Sequence, residues 1–486
     1  MSKPRLISIV LPPLVLLGEV LFQLSGVLDV PQDRMLTLLV LAWMVMWWVV
    51  EVVPLGVTAL IPIIILPVLG LTELKTVTSA YSNPVIYLFL GGFIIARALE
   101  KTKLNERIAL RILSVTGRSD RGVLLGFIIA TAFLSMWISN TATTVMMVPI
   151  AMSVVQFLRN NVENLDSKTL RGFQISLFLA IAYSANIGGV MTPVGTPPNV
   201  VLLGYLDDLY SQQVDFWKWM LIGVPVGVSV ISIMYYLLIR IFPFAIEIGK
   251  DFQSFVKKKL TTLGSIDSKQ KLTIIIFASV CGLWVFKGLI HYIFGAKFLN
   301  DTSIALFGGL ALFLIPYKDV NWRRVLDIDD IGFLPWNIVL LFGGGMAIAG
   351  ALNQVGLIDV VTSAVSGGVT PGSSEMNIWL LTLGLTCVAL FLTEIMSNVA
   401  LCVVALPVIM KLSESAGLHP MVIGIPAAMA SSFAFSLPIS TPPNAIVFGT
   451  NVIKVRDMIK IGLILNFLGL AVIVTLGWAI IRYIFG

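Results

Sequence analysis

The chain has 486 residues, 57% of them hydrophobic and only 12% charged, where soluble domains carry roughly 25% charged residues. That composition excludes a soluble globular protein, and because the longest polar stretch, about 243–271, is under 30 residues, it also excludes a large soluble domain. The net charge of +6 is spread over loops in a way that argues against a nucleic-acid partner and for a membrane topology.

In chain order, apolar runs of about 20 residues, long enough to cross a bilayer as helices, predict eleven spans. They lie near 7–27, 35–53, 55–71, 83–99, 173–206, 215–242, 272–295, 302–317, 336–354, 420–450 and 458–484. The first run follows Lys3 and Arg5 as a signal peptide would. It lacks a small-residue cleavage site and a second apolar run follows at once, so it is kept as a mature helix. Two further apolar blocks, 121–158 and 377–412, are interrupted by polar tips, "SNTATTVMMVPIA" at 139–151 and "SNVALCVVALPVI" at 397–409. Irregular backbone at membrane depth survives only where it lines a cavity or is buried in protein. The two blocks are therefore predicted to be re-entrant helical hairpins that enter and leave on one side.

An N-terminus on the inside puts segments 100–121, 159–172, 240–271, 318–335 and 454–460 in the cytoplasm. With Lys3 and Arg5 these hold 24 of the 32 Lys and Arg residues, while acidic Asp207, Asp208 and Asp215 fall outside with the C-terminus, in keeping with the positive-inside rule. Lys257, Lys258 and Lys259 read as an inner-surface anchor to anionic lipid. Arg97, in the fourth span, reads as snorkelling to the inner interface, and Glu394, three residues before Ser397, reads as a buried, hydrogen-bonded structural carboxylate, with a part in coupling as the alternative. Cys281, Cys387 and Cys402 all lie in apolar runs and form no disulfide or metal pattern.

The two halves repeat. "FLGGFIIARALEKTKL" (89–104) answers "LFGGGMAIAGALNQVGL" (341–357), the two Ser-Asn tips lie 258 positions apart, and "TPVGTPPN" (192–199) answers "LPISTPPN" (437–444), all in the same order. Five spans separate the two hairpins, an odd number, so the second opens to the opposite side. The predicted organisation is thus an inverted-topology repeat with its binding site between the halves near the midplane. A transmembrane helix occupies 1–30, the first repeat 31–242, a cytoplasmic linker 243–271 and the second repeat 272–486.

Every motif residue is neutral. Ionised side chains are costly at membrane depth, and an anion is served instead by helix N-termini, such as those that start after each Ser-Asn tip. Pro197–Pro198 and Pro442–Pro443 break their helices and free carbonyls, which together with hydroxyls are hard oxygen ligands suited to sodium. No metal-ligand spacing and no nucleophile–base pair points to an enzyme.

With its paired Ser-Asn tips and paired Thr-Pro-Pro-Asn breaks, the chain resembles the divalent anion/sodium symporter family over nearly its full length. The resemblance implies an elevator-type homodimer that takes up C4-dicarboxylates such as succinate, malate and fumarate with sodium, and the short loops and compactness of the chain point to the bacterial inner membrane. A sodium-independent dicarboxylate exchanger, or a carrier of sulfate or citrate, is the alternative. Carried over by position, the substrate site is Asn140, Thr141, Asn398 and Pro442 with Thr196, Pro197, Thr441 and Val399, the last standing where the family has Thr. One sodium ion is implied among Ser135, Ser139, Asn140 and Gly195, and a second among Thr393, Met396, Asn398 and Ser440.

Overall fold

A computed structural model describes residues 11–19, 32–162, 165–248, 250–295, 299–317, 323–365 and 370–485. Among the described residues every regular element is helical, and β-type pairing is confined to one bridge between Pro316 and Arg324. Among the described residues ten helices are long and apolar enough to cross a membrane. The chain is an all-α, multi-pass membrane protein. Polar residues set the helix starts: Ser119, Ser139, Asp166, Asp267, Asn300 and Ser374 each accept a backbone N–H from three residues further on, satisfying a donor the helix leaves free.

Most predicted spans are present with altered ends. The first, 7–27, is helical over 11–19 and otherwise lies outside the described residues, as does most of the predicted unit 1–30. The span at 55–71 is two short helices, Leu55–Thr58 and Ile61–Val68. The spans at 173–206 and 420–450 are each interrupted, into Ser167–Val190 and Pro197–Tyr210, and into Met421–Ser431 and Pro442–Gly449. Both Ser-Asn blocks are helix pairs, Asp120–Ser135 with Asn140–Asn161 and Glu375–Leu392 with Asn398–Ser415. Two short helices, Leu74–Ala80 and Leu357–Val365, fall between the predicted spans. Leu104–Thr116 and Lys250–Thr262 were not predicted either, because each is too polar for a span. They pack on each other, with Phe252 buried between them, and Arg107 donates to the carbonyls of Leu263 and Gly264, both at 2.9 Å. Lys257, Lys258 and Lys259 lie on the second of them.

The helix Ser167–Val190 runs through the centre, with every residue from Ile175 to Val190 buried. Both helices of the first block pack on it, as do Phe216–Ile241 and Pro442–Gly449. The halves also exchange contacts. Helix Pro84–Lys101 packs on Asp301–Leu314 and helix Trp336–Gln354 on Leu55–Thr58, through glycines that stand at matching points of the repeated segments. A Cβ on Gly91 would lie 2.6 Å from the Ala305 carbonyl carbon, and one on Gly344 2.3 Å from the Ala59 oxygen.

Charges gather at helix ends. Arg97 donates to the buried Asp330 at 3.0 Å and lies over the Phe333 ring, and Lys101 pairs with both Asp327 and Asp330. Burial pushes the Asp330 carboxyl up, but hydrogen bonds from Lys101, the Asp327 N–H and Arg97 outweigh it and hold the group below the usual carboxylate range.

A side chain at Gly344 has no room. Gly344→Val is expected to cost about 1–3 kcal/mol by overpacking and to lower the thermal midpoint in detergent, whereas Gly350→Ala, with nothing within 4 Å, should leave it unchanged or raise it. Equal behaviour of the two would remove the close contact from the account. For Asp330, a folded pKa below the unfolded value means stability that is present at neutral pH and lost as pH falls through the folded pKa. The midpoint difference between wild type and Asp330→Asn should therefore be full at pH 7 and shrink below about pH 4. A difference that is independent of pH would show that the charge plays no part.

Candidate functional site

The first break follows Ser135, where the helix stops, and ends at Ser139, whose backbone is extended and whose hydroxyl caps the N–H of Ala142. Ser135 is fully buried and its Oγ lies 2.7 Å from the Ala185 carbonyl. One end of the Asn140 amide lies 2.7 Å from Ser135 Oγ, 3.0 Å from the Ala185 oxygen and 3.3 Å from the Gly195 oxygen. With the amide nitrogen at that end, all three accept from it. With the amide oxygen there, it and the three oxygens around it form a cluster of four neighbouring oxygens, a donor type that fits a hard cation. The cluster is possible only because Gly189 and Gly195 lack side chains. A Cβ on Gly189 would lie 2.4 Å from Asn140 Oδ1, and one on Gly195 2.4 Å from the Gly189 oxygen.

The freed carbonyls of this break are held by the Asn of the motif. Asn199 Nδ2 donates to Gly189 at 3.2 Å and to Thr192 at 2.8 Å, ten and seven residues back. Asn444 does the same in the second half, donating to Ala434 at 2.9 Å and Leu437 at 3.0 Å, again ten and seven residues back. The hydroxyls repeat as well. Ser135 and Thr393 each stand five residues before their Asn, and Thr393 Oγ1 donates to the Ser431 carbonyl at 2.6 Å as Ser135 does to Ala185. Packing is also reciprocal, with helix Pro442–Gly449 against Asn140–Asn161 and helix Pro197–Tyr210 against Asn398–Ser415.

The second break carries one charge. Glu394 is buried, and its carboxylate accepts the backbone N–H groups of Phe435, Ser436 and Leu437 at 2.9, 2.9 and 3.1 Å and the amide of Asn466 at 2.6 Å. It is a tether for unwound chain, as the sequence led one to expect. Ser440 is buried with its Oγ 2.7 Å from the Leu437 oxygen, and Thr441 caps Asn444.

Of the candidate residues, the structure brings Ser135, Asn140 and Gly195 together, with Ser139 capping the adjacent helix. Thr393 and Ser440 both bond within the second break, and Asn398 and Met396 are half-buried beside it. Among the described residues Asn398 makes no side-chain hydrogen bond, in contrast to Asn140. Thr141 and Pro442 are exposed, Pro197 is half-buried, and Thr196, Thr441 and Val399 are buried. From Thr141 an exposed stripe runs along one side of its helix through Val145, Pro149, Met152, Gln156 and Arg159. The Ala185 carbonyl, Tyr183, Asn186 and Asn466 were missed. A carbonyl carries no sequence signal, but a buried Asn on a predicted central helix is one that could have been followed.

The chain matches the family model described as the sodium:sulfate symporter transmembrane region over residues 5–484. It is 36% identical over 483 residues to the sodium-dependent dicarboxylate transporter SdcS of Staphylococcus saprophyticus, covering 97% of this chain and 92% of that protein. It is 35% identical over 491 residues to SdcS of Staphylococcus aureus strain MRSA252, covering 100% and 93%. Among solved structures, MtrF of Neisseria gonorrhoeae aligns with a TM-score of 0.56 at 15% identity, over 94% of this chain and 96% of that one. The YdaH transporter of Alcanivorax borkumensis aligns with a TM-score of 0.55 at 14% identity, over 84% and 88%. These two likenesses bear on the fold alone.

Glu394→Gln would turn an acceptor into an N–H₂ facing N–H donors. It is expected to cost about 1–3 kcal/mol for each donor left unsatisfied, seen as a lower thermal midpoint in detergent. An unchanged midpoint would mean that 435–437 is held by something else.

Proposed function

The chain belongs to the sodium:sulfate symporter family, and from that premise we propose that it is a secondary transporter that couples sodium entry to uptake of C4-dicarboxylates such as succinate, malate and fumarate. The observation that carries the sodium reading is the gathering of Ser135 Oγ and the Ala185 and Gly195 carbonyls around one end of the Asn140 amide. It needs only rotation of the Asn140 amide to become an all-oxygen site. The second ion is assigned to Thr393, the Met396 and Ser440 carbonyls and Asn398. The full-length match to sodium-dependent dicarboxylate transporters supports the substrate class.

The substrate carboxylates are assigned to Asn140 and Thr141 on one side and Asn398 on the other, with Val399, Thr196, Pro197, Thr441 and Pro442 around them. Each Asn opens a helix, the first capped by Ser139 at Ala142 and the second without a side-chain cap, so an anion between them meets two positive helix ends without a fixed cation. The repeated ten-and-seven clamp and the reciprocal packing support an inverted-repeat organisation of residues 31–242 and 272–486. An elevator-type mechanism, a homodimer, an inner-membrane location and a cytoplasmic N-terminus complete the reading. In that orientation the exposed stripe from Thr141 to Arg159 leads from the site to the cytoplasm.

The test is uptake of radiolabelled succinate into proteoliposomes with an inward sodium gradient, with choline in its place, or with internal unlabelled succinate. Accumulation that requires sodium and no internal substrate is the expected result. Uptake that needs internal succinate and ignores sodium would establish an exchanger instead, and no uptake in any arm would direct attention to sulfate or citrate. Asn140→Ala and Asn398→Ala should abolish accumulation while leaving monodisperse, folded protein. Normal uptake by either would sink the site assignment.

A further inference from the structure

We propose that Asn186 is a positioning residue that couples the two ion sites, an inference that rests on the sodium reading above. Residues 185 and 186 serve opposite halves. The Ala185 carbonyl belongs to the first cluster, where Ser135 Oγ lies 2.7 Å away and one end of the Asn140 amide 3.0 Å away. The next side chain, Asn186, is 1% exposed and donates from Nδ2 to Thr441 Oγ1 of the second half at 3.1 Å. Thr441 Oγ1 in turn caps the N–H of Asn444 at 3.4 Å, and Asn444 holds the carbonyls of Ala434 and Leu437. One turn earlier on the same face, Tyr183 Oη donates to the Phe435 carbonyl at 2.7 Å.

The strut exists in one direction only. Counting back 13 positions from the clamp residues matches Asn186 with Ser431, whereas the carbonyls that accept from Ser135 and Thr393, those of Ala185 and Ser431, match it with Ser432, so the counterpart is a serine in either register. The second half thus has a short hydroxyl where the first has an amide. Ser431 Oγ donates to Ala428 in its own helix and lies 2.9 Å from Cys402 Sγ. Thr196, the counterpart of Thr441, is buried with its Oγ1 unpartnered. The pseudo-symmetry that the two halves keep in their clamps is broken at the residue that reaches across.

The physical consequence is cooperativity. A cation at the first cluster pulls the Ala185 carbonyl toward it and fixes that peptide. Because residue 186 lies on a helix buried on all sides, fixing one peptide fixes the direction of the next side chain. Asn186 then holds Thr441 and the start of helix Pro442–Gly449 in place for the second ion and for the anion. The ordering cost of the second event is met by the first, which is positive coupling without a large movement.

The experiment is the sodium dependence of succinate uptake by the full chain in proteoliposomes. Thermal midpoints titrated with sodium chloride in detergent serve as a readout of binding without transport. For Asn186→Ala the Hill coefficient for sodium should fall from above one toward one, and half-saturating sodium should rise about fivefold, the equivalent of one hydrogen bond. The succinate KM at saturating sodium should rise less than half-saturating sodium does, because Asn186 reaches the anion only through Thr441 and saturating sodium restores the order the strut supplies. Asn186→Gln, which keeps the amide donor, should recover part of the cooperativity. If Asn186→Ala does not fold, Asn186→Ser, which places at 186 the side chain the second half carries at 431, takes the same expectations. A folded variant with wild-type Hill coefficient and half-saturating sodium overturns the proposal, as does a parallel loss of succinate affinity with cooperativity intact. A wild-type protein whose uptake and midpoint both ignore sodium overturns the sodium reading itself and the proposal with it.

Discussion

The structure depends on one constraint: a polypeptide that unwinds between membrane-spanning helices must find a partner for every N–H and C=O it frees. Both Thr-Pro-Pro-Asn breaks create that debt, and both meet it first with the amide of their own Asn. The breaks differ in length, however. Residues 191–196 separate the helices of the first and 432–441 those of the second. The shorter break needs little beyond Asn199 and the indole of Trp219, which donates to the Val190 carbonyl at its helix end. The longer one also exposes a run of N–H donors, and these are what Glu394 accepts, with Asn466 and Ser436 completing the set. The buried carboxylate is therefore a consequence of loop length.

That difference explains what could be read from the sequence. Prolines, small hydroxyl residues and Asn in an apolar run carry a strong local signal, because nothing in a continuous helix requires them. The interruptions, the repeated order and the residues at their tips were therefore legible. Partners were not, because a backbone oxygen such as that of Ala185 belongs to whichever side chain the fold brings to it. Glu394 could be judged structural from its setting, but its four donors come from segments 41 to 72 residues away, and no spacing rule reaches that far. Leu104–Thr116 and Lys250–Thr262 were overlooked for a simpler reason: a span-length window of hydropathy does not register an amphipathic helix of 13 residues.

The arrangement of charge follows from the same low-dielectric interior. Arg97 and Lys101 pair with Asp327 and Asp330 at one set of helix ends, and Lys287 pairs with Asp215 and Asp301 at another, at 2.6 and 2.7 Å. Cations that enter the apolar region are thereby met by carboxylates, which removes most of the penalty of burying them alone. Between these ends the candidate binding residues are neutral. Glu394 is the exception, and its charge is shared among four N–H donors that stay with it.

On the proposed reading this neutrality is what enforces coupling. One sodium ion at each break and one dicarboxylate dianion sum to zero, so the fully loaded site and the empty site carry the same charge. A site holding the dianion alone, or the dianion with one ion, would take uncompensated charge through a medium where even a single charge costs several kcal/mol. Such partly loaded forms are suppressed by electrostatics alone, with no gate required. The Glu394 carboxylate is held by its own donors and belongs to neither the anion nor the ion sites, so it stands outside this comparison. Had the site used a fixed Arg or Lys to hold the anion, the empty form would carry that charge and return at a cost. Helix ends and amides avoid this, because they attract an anion when it is present and present no net charge when it is gone.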